Sequence, residues 1–333
     1  MPVMIDRPLR AVLRALKNSD TVRNLLADIN SVGEFTDLYE HEKMLADAVR
    51  VETYRKGIAR LIRPGDVVVD LGTGTGVLSL FAAQQQPKRV YAIDHSPVID
   101  LARAIAEHNK LHDRIEFLQV NSRDLRLDEP VDVILHEQIG DELFDENMVA
   151  NIIDLRDRLL KPGGRIVPGR FALYLEPVQL TDAGRVPFVW ENLVPGLDYS
   201  FLRDHPLAAP YTEDGYHHRW LEGADAERLL CQPEPVLTVD LAEISGIEDL
   251  PRRIPVRRRV TTPGRCDGLL VYFEAIFDQE VRFDSCPLWD RTPSWGNKLF
   301  RAPARDCQEG DVVEYEVSFG DHTRVDTWRV EFA

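Results

Sequence analysis

The stretch VVVDLGTGTGVLSL, residues 67–80, constrains this chain more than any other. A short apolar run suited to a buried strand passes into Gly72, Gly74 and Gly76, and a helical apolar pattern starts at once behind them. A strand that turns this tightly into a helix needs glycine twice over. The turn requires backbone angles that a Cβ opposes, and bare backbone lets a ligand reach the free N–H groups of the helix N-terminus. A glycine loop alone suits a dinucleotide as well as other nucleoside cofactors. Here Val77 stands where a dinucleotide site would place its third glycine. Asp70, just before the loop, would repel a pyrophosphate but suits a sulfonium and an amino group. Asp94 ends the next apolar run, in position to hold a ribose diol. Its bland alternative is a helix N-cap, a role that Ser96 fills at least as well. The expected cofactor is S-adenosyl-L-methionine, and the expected class a class I methyltransferase.

The rest of the chain agrees with this start. VVVD (67–70), VYAID (90–94), IEFLQV (115–120) and VDVIL (131–135) are short apolar runs separated by helical segments at 77–86 and 97–110, the pattern of a parallel sheet with crossover helices. After LKPGGRIVPGR (160–170) strand-like runs take over, among them FALYLEPVQL, GLLVYFEAIF and DVVEYEVSF, and predict a second, mainly antiparallel domain. Upstream, apolar residues at helical spacing over 7–29 predict two short helices, and a further helix is expected over 42–62. A chain of 333 residues with 44% apolar residues has length enough for two cores. Its net charge of −16 argues against a nucleic-acid or anionic-membrane partner and suits a cationic ligand. Cys231, Cys266, Cys286 and Cys307 form no CxxC pair, which points to a reduced compartment, and no metal site is expected. No apolar run reaches membrane-span length, and Arg and Lys interrupt the N-terminal segment, so a cytoplasmic location is expected.

The segment HEQIGDELFDENM (136–148) concentrates Glu137, Asp141, Glu142, Asp145 and Glu146 between a strand and a helix. Alone it suits a solvated loop before an acidic first helical turn. In its setting the chain resembles the protein arginine methyltransferases. YEHEKMLADAVRVETYRKGI (39–58) resembles the family's helix ahead of the glycine loop. VVVDLGTGTGVLSLFAA and YAIDHS follow, Glu137 and Glu146 align with the two glutamates of the family's double-E loop, and PSWGNKLF stands at its Thr-His-Trp loop. The likeness spans about 35 to 320. It implies an α/β architecture, a Rossmann-like domain (35–167) behind N-terminal helices (1–34), then a β-barrel domain (168–333) with a helical dimerisation arm, for which 195–230 is the candidate. It further implies a homodimer. By position, Arg50 pairs with the cofactor's methionine carboxylate, glycines 72, 74 and 76 wrap the cofactor, Asp94 holds the ribose, and Glu137 and Glu146 grip a substrate guanidinium.

Two carboxylates suit that chemistry. A guanidinium is always protonated in water, its nitrogens are poor nucleophiles, and it must approach a sulfonium of like charge. Paired carboxylates offset the repulsion and draw positive charge onto the nitrogens they contact, leaving the remaining nitrogen free to react. Glu146, among like charges, is the candidate proton acceptor.

The chain also departs from the family pattern. Ser294 replaces the histidine before Trp295, and a hydroxyl orients a glutamate without relaying a proton as imidazole does. The aromatic lid motif is reduced to EFTDLY, with Tyr39 its best surviving tyrosine. Ser122 and Arg123 stand where the family meets adenine, leaving Asp124 or a backbone group to read the amino group. Met44 either limits product methylation or is core. Asp141, Glu142 and Asp145 replace mostly apolar residues, and at the pocket mouth they would suit the α-ammonium of a free amino acid. The expected substrate is therefore free L-arginine or a small guanidine in a biosynthetic pathway. The alternatives are arginine in protein segments, a catalytically silent cofactor-binding dimeric scaffold, or methyl transfer to another nucleophile.

Overall fold

The computed structural model describes residues 37–191, 194–212, 216–289 and 292–333. The two helices expected over 7–29 lie outside the described residues. Two helices lead into the first sheet, α1 (Leu38–Ala46) and α2 (Ala48–Leu61). The single helix expected over 42–62 is thus broken, and the cause is Asp47. Its backbone is extended and its carboxylate accepts from the Arg50 N–H at 3.0 Å, capping α2. An aspartate offers the backbone a local alternative to the helical ladder, which is why it stops one helix and starts the next.

Five parallel strands follow: β1 (Val67–Leu71), β2 (Arg89–Asp94), β3 (Ile115–Gln119), β4 (Val131–His136) and β5 (Leu160–Val167). Their order is β3-β2-β1-β4-β5, with α3 (Val77–Gln84), α4 (Ile99–His108) and α5 (Met148–Leu159) as crossovers. Central β1 is buried at every position, as a strand covered on both faces must be. The strand order reverses beside β1, so a crevice opens at the carboxyl ends of β1, β2 and β4.

From Arg170 the pairing becomes antiparallel. The strands are β6 (Arg170–Leu180), β7 (His218–Leu221), β8 (Ala226–Leu229), β9 (Leu237–Asp240), β10 (Arg253–Arg259), β11 (Gly264–Ile276), β12 (Arg282–Asp284), β13 (Asn297–Cys307), β14 (Val312–Phe319) and β15 (Trp328–Phe332). One sheet runs β7-β13-β11-β6-β8, with β9 on β6 and β12 on β11; a second runs β10-β14-β15. The segment 195–230 differs from the helical arm expected of it. Its described part holds short 3₁₀ turns at Ser200–Arg203, Ala209–Tyr211 and Gly223–Asp225, with β7 and β8 on either side of the last. Pro206 and Pro210, which lack a backbone N–H, interrupt any helical ladder there.

The basic run on β10 splits by face. Arg253 and Arg257 point outward to Glu316 and Glu314, whereas Arg258 is buried and meets Glu176 at 3.1 Å. Both domains feed one contiguous apolar core, in which Tyr54 of α2 packs edge-on against Phe277 at 4.9 Å. All four cysteines are free and buried. Among the described residues, no helix is long and apolar enough to cross a membrane.

Candidate active site

A cavity of about 510 Å³ fills the crevice above β1, β2 and β4. Its floor is the glycine loop. Gly72, Gly74 and Gly76 take φ of 71°, 54° and 85°, left-handed angles that side chains oppose. The turn hangs from β2: the N–H groups of Gly72 and Thr73 both donate to the Ile93 carbonyl, at 3.0 and 2.9 Å. Gly74 N–H donates to Asp94 Oδ2 at 2.9 Å, and Ser96 donates to Asp94 Oδ1 through N and Oγ, both at 2.8 Å. Asp94 therefore braces the loop and also lines the cavity, with lone pairs left for a diol.

Two sequence-derived cofactor positions fall behind the wall. Asp70 is buried beneath the loop, where its Oδ2 accepts from Thr73 Oγ1 at 2.7 Å and Ser79 Oγ at 2.6 Å. Burial pushes its carboxyl up to about 6, against those bonds, and Oδ1 is buried without a partner. It shapes the turn and does not face a ligand. Gly76 is likewise off the cavity; a Cβ there would stand 3.1 Å from that of Ala102 on α4, so its bareness lets the two helices approach. Ser122 and Arg123 do line the cavity, on a 3₁₀ turn pinned by Arg158 Nη2 to the Ser122 carbonyl at 2.9 Å. Asp124 is exposed and outside it.

Across the cavity stand the two glutamates. Glu137 follows β4 directly and is paired with Arg50 of α2, whose guanidinium lies 5.2 Å from the Trp295 ring. Trp295 is buried and donates Nε1–H to the Ile139 carbonyl at 2.6 Å, clasping the segment after Glu137 to the second domain. The loop then turns through a Leu143 N–H to Gly140 carbonyl bond of 2.9 Å. Leu143 has φ of 78°, a strained angle for a branched side chain that is held here by its complete burial. Glu146 arrives on the cavity wall, where burial first, then the charges of Glu137 and Asp145, push its carboxyl well above the ordinary range.

The other three acids do not share one fate. Glu142 is buried away from the cavity, 3.6 Å from Lys298, and burial raises it to about 8. Asp141 and Asp145 line the cavity, but Asp141 Oδ1 accepts the Gly296 N–H at 2.6 Å and Asp145 Oδ1 that of Glu142 at 3.3 Å. The expected row of free carboxylates at the mouth is thus largely engaged, Glu142 and Asp141 by the second domain and Asp145 by the loop itself.

Ser294 lines the cavity, yet its Oγ is buried without a hydrogen bond; it is tied in through its backbone N–H to Asp47 Oδ2 at 3.3 Å. Met44 also lines the cavity. Tyr39 does not. It is 61% exposed on the outer side of α1, with the Lys43 ammonium over its ring. Sequence reasoning missed Asp47, which caps α2 and receives Ser294, and Tyr54, whose hydroxyl donates to the His136 carbonyl at 3.1 Å and steadies the approach to Glu137. An aspartate inside a helical pattern was the available signal for Asp47. Among the described residues no group of three or more His, Cys, Asp or Glu side chains is placed to hold a metal ion.

A glycine turn at the switch point of a five-stranded parallel sheet, with an acidic residue ending the next strand, defines a Rossmann-like domain for a nucleoside cofactor. Residues 62–183 match a family model described as a methyltransferase domain. The chain is 36% identical over 283 residues to a probable protein arginine N-methyltransferase 6.1 of Oryza sativa subsp. indica, covering 82% of this chain and 70% of that one. It is 42% identical over 175 residues to protein arginine N-methyltransferase 6 of Danio rerio, 51% of this chain. The match spans about half the length of some curated relatives, 50% of the Danio rerio protein and 46% of one from Arabidopsis thaliana. The fold superimposes on a solved structure titled Trypanosoma brucei PRMT1 enzyme-prozyme heterotetrameric complex with AdoHcy. The TM-score is 0.73, the identity 23%, and the cover 90% of this chain and 95% of that one. The chain belongs to the protein arginine N-methyltransferase family.

Proposed function

We propose that this chain is an S-adenosyl-L-methionine-dependent N-methyltransferase acting on a terminal guanidino nitrogen of arginine within protein segments. The observation that carries the reading is the placing of Glu137 and Glu146 on one wall of a cavity whose floor is a glycine cradle. The residues present fit the cofactor. A Cβ on Gly74 would meet the His41 ring at 3.0 Å, so the bare loop keeps the floor clear. Asp94 offers acceptors for the ribose, Arg50 a cation for the carboxylate, and Ser122 and Arg123 polar groups toward the far end. When bound, the cofactor supplies an electrophilic methyl group.

The chain's own residues do the rest. Glu137 and Glu146 take the guanidinium by charge-assisted hydrogen bonds and hold its free nitrogen in one direction. Burial and the neighbouring carboxylates raise the Glu146 carboxyl above the ordinary range, which makes it a stronger base than a solvated glutamate and the group suited to take the proton the nitrogen sheds. Trp295 and Arg50 close the side of the cavity and limit water.

Protein arginine displaces free arginine as the preferred substrate. The free-arginine expectation rested on Asp141, Glu142 and Asp145 receiving an α-ammonium. That support weakens with Glu142 turned inward and Asp141 bonded to Gly296. Relatives that carry the name protein arginine N-methyltransferase support the same choice. A homodimer is proposed with it. Leu197, Phe201, Leu207 and Tyr211 expose large apolar side chains along one excursion, as an arm awaiting a second copy would.

The test is incubation with labelled cofactor and, in separate tubes, a Gly/Arg-rich peptide and free L-arginine. Label is expected in the peptide; label in free arginine alone would overturn the substrate assignment. Glu137→Gln and Glu146→Gln should each lower transfer by at least 10²-fold, on the order of losing one oriented charge partner, while cofactor affinity changes little. Undiminished turnover in both would remove the mechanism.

A further inference from the structure

Lys298 is an anomaly of this site. It is the second residue of β13, it is buried, and no step above uses it. Its ammonium sits 3.0 Å from the centre of the Trp220 ring on β7 and 3.6 Å from Glu142 Oε1. Trp220 in turn packs against Gly296, just ahead of β13, where a Cβ would come within 2.5 Å of the indole. The Gly296 N–H reaches the same acidic loop through Asp141 Oδ1. Two adjacent ties therefore join this strand to the turn between Glu137 and Glu146. The turn crowds five carboxylates into residues 137–146, and their mutual repulsion favours a splayed loop.

We infer that Lys298 is a positioning residue for the two glutamates: its ammonium, held between Trp220 and Glu142, fixes the acidic turn from the second domain and so aims Glu146 into the cavity. The inference rests on the methyltransferase reading of that cavity. The titratable groups facing Lys298 are Glu142, Asp141 and Asp145 from the loop and His218 from β7, whose imidazole is held toward its neutral form by burial and by the ammonium. Glu142 is itself raised by burial and by Asp145, so its ionised form depends on the ammonium beside it. Lys298 does not line the cavity, so it acts through the loop.

The experiment compares wild type with Lys298→Met, Glu142→Gln and the double variant. Lys298→Met keeps most of the length and removes the charge, leaving Glu142 buried without its cation. It should lower kcat/KM for the peptide at least tenfold while the cofactor Kd stays within twofold, because the glycine floor is untouched. The acidic limb of the kcat/KM profile should move to higher pH, since the loop retains a proton that Lys298 had helped to release. Glu142→Gln in the same chain should recover most of the rate, a coupling that a purely structural loss would not give. Amide exchange is measured alongside and needs no activity: residues 140–145 should exchange at least tenfold faster in Lys298→Met, with β11 unchanged. Wild-type turnover in Lys298→Met, a loss that Glu142→Gln leaves uncorrected, or unaltered exchange in the loop would each overturn the inference. Should wild type itself transfer no methyl group to arginine, the functional reading falls and the exchange measurement alone decides the role of Lys298.

Discussion

At Ser294 a single hydroxyl separates two accounts of the site. A group that orients Glu137 or Glu146 must reach one of them, but the Ser294 Oγ reaches no partner, and the residue is held by its backbone N–H to Asp47. Removing an unpaired hydroxyl is close to neutral, whereas removing a paired one is not. Ser294→Ala is therefore expected to keep kcat within about threefold, the small change of a lost unmade bond, and a fall of more than tenfold in steady-state rate would return the hydroxyl to the chemistry. His136 makes a second residue-level case. It is completely buried beside Glu137, its Nε2 lies 2.8 Å from the Pro168 carbonyl, and burial depresses it to about 4. Above pH 6.5 the imidazole is neutral whether the chain is folded or not. Below 6.5 the unfolded chain gains a proton that the folded one refuses until pH nears 4, so stability falls across that window. The loss reaches on the order of 3 kcal/mol at about 1.4 kcal/mol per pH unit. Glu142, Glu176 and Asp70 are raised and act in the opposite sense, so the measurement must be differential. Melting of wild type and His136→Gln from pH 8 to pH 4 should show wild type losing ground below 6.5, and parallel curves would refute the assignment.

Among the elements, α2 binds the two domains most directly. It carries Arg50 to the cavity, Tyr54 to the His136 carbonyl and Gly57 to the second domain. A Cβ on Gly57 would lie 2.2 Å from the Phe277 ring, and that ring is itself packed edge-on by Tyr54. Helix propensity alone favours alanine by about 1 kcal/mol, but overpacking a closed contact costs about 1–3 kcal/mol. Gly57→Ala should accordingly lower the denaturation midpoint, and an equal or raised midpoint would mean that the ring moves aside freely. Elements also mark the limit of what could be read beforehand. Strands β1 to β4 and the glycine turn were legible because burial on both faces writes itself as continuous apolar runs. The break at Asp47 was not, since apolar periodicity runs through it and only a capping bond ends the helix. The strands within 195–230 were illegible for a related reason: β7 and β8 are four residues each, too short to establish an alternation.

For the whole molecule, the site and the stability share one cause. The double-glutamate loop belongs to the parallel sheet, yet Trp295, Gly296 and Lys298, which hold it, come from the antiparallel domain. No local pattern in the sequence records that closure. Glu137 and Glu146 could be singled out because their surroundings along the chain resemble a family, whereas Lys298 and Asp47 gain meaning only from residues far away in number. The same closure appears in the core. Buried Tyr54, Leu71, Leu135 and Phe144 of the first half form one continuous cluster with Phe273, Phe277, Phe283 and Trp295 of the second. Two sheets that share a core lose each other's apolar cover when either melts, so neither should survive alone. The expectation is a single calorimetric transition, with the van't Hoff and calorimetric enthalpies equal, for residues 37–333. Trp295→Ala, which takes a buried ring out of the shared cluster and the 2.6 Å bond from Ile139, should move that whole transition down without splitting it. The cost is about 3–5 kcal/mol for a buried aromatic. Two resolved transitions, with only one displaced by the variant, would show that the domains fold independently and that the loop is closed by docking after folding.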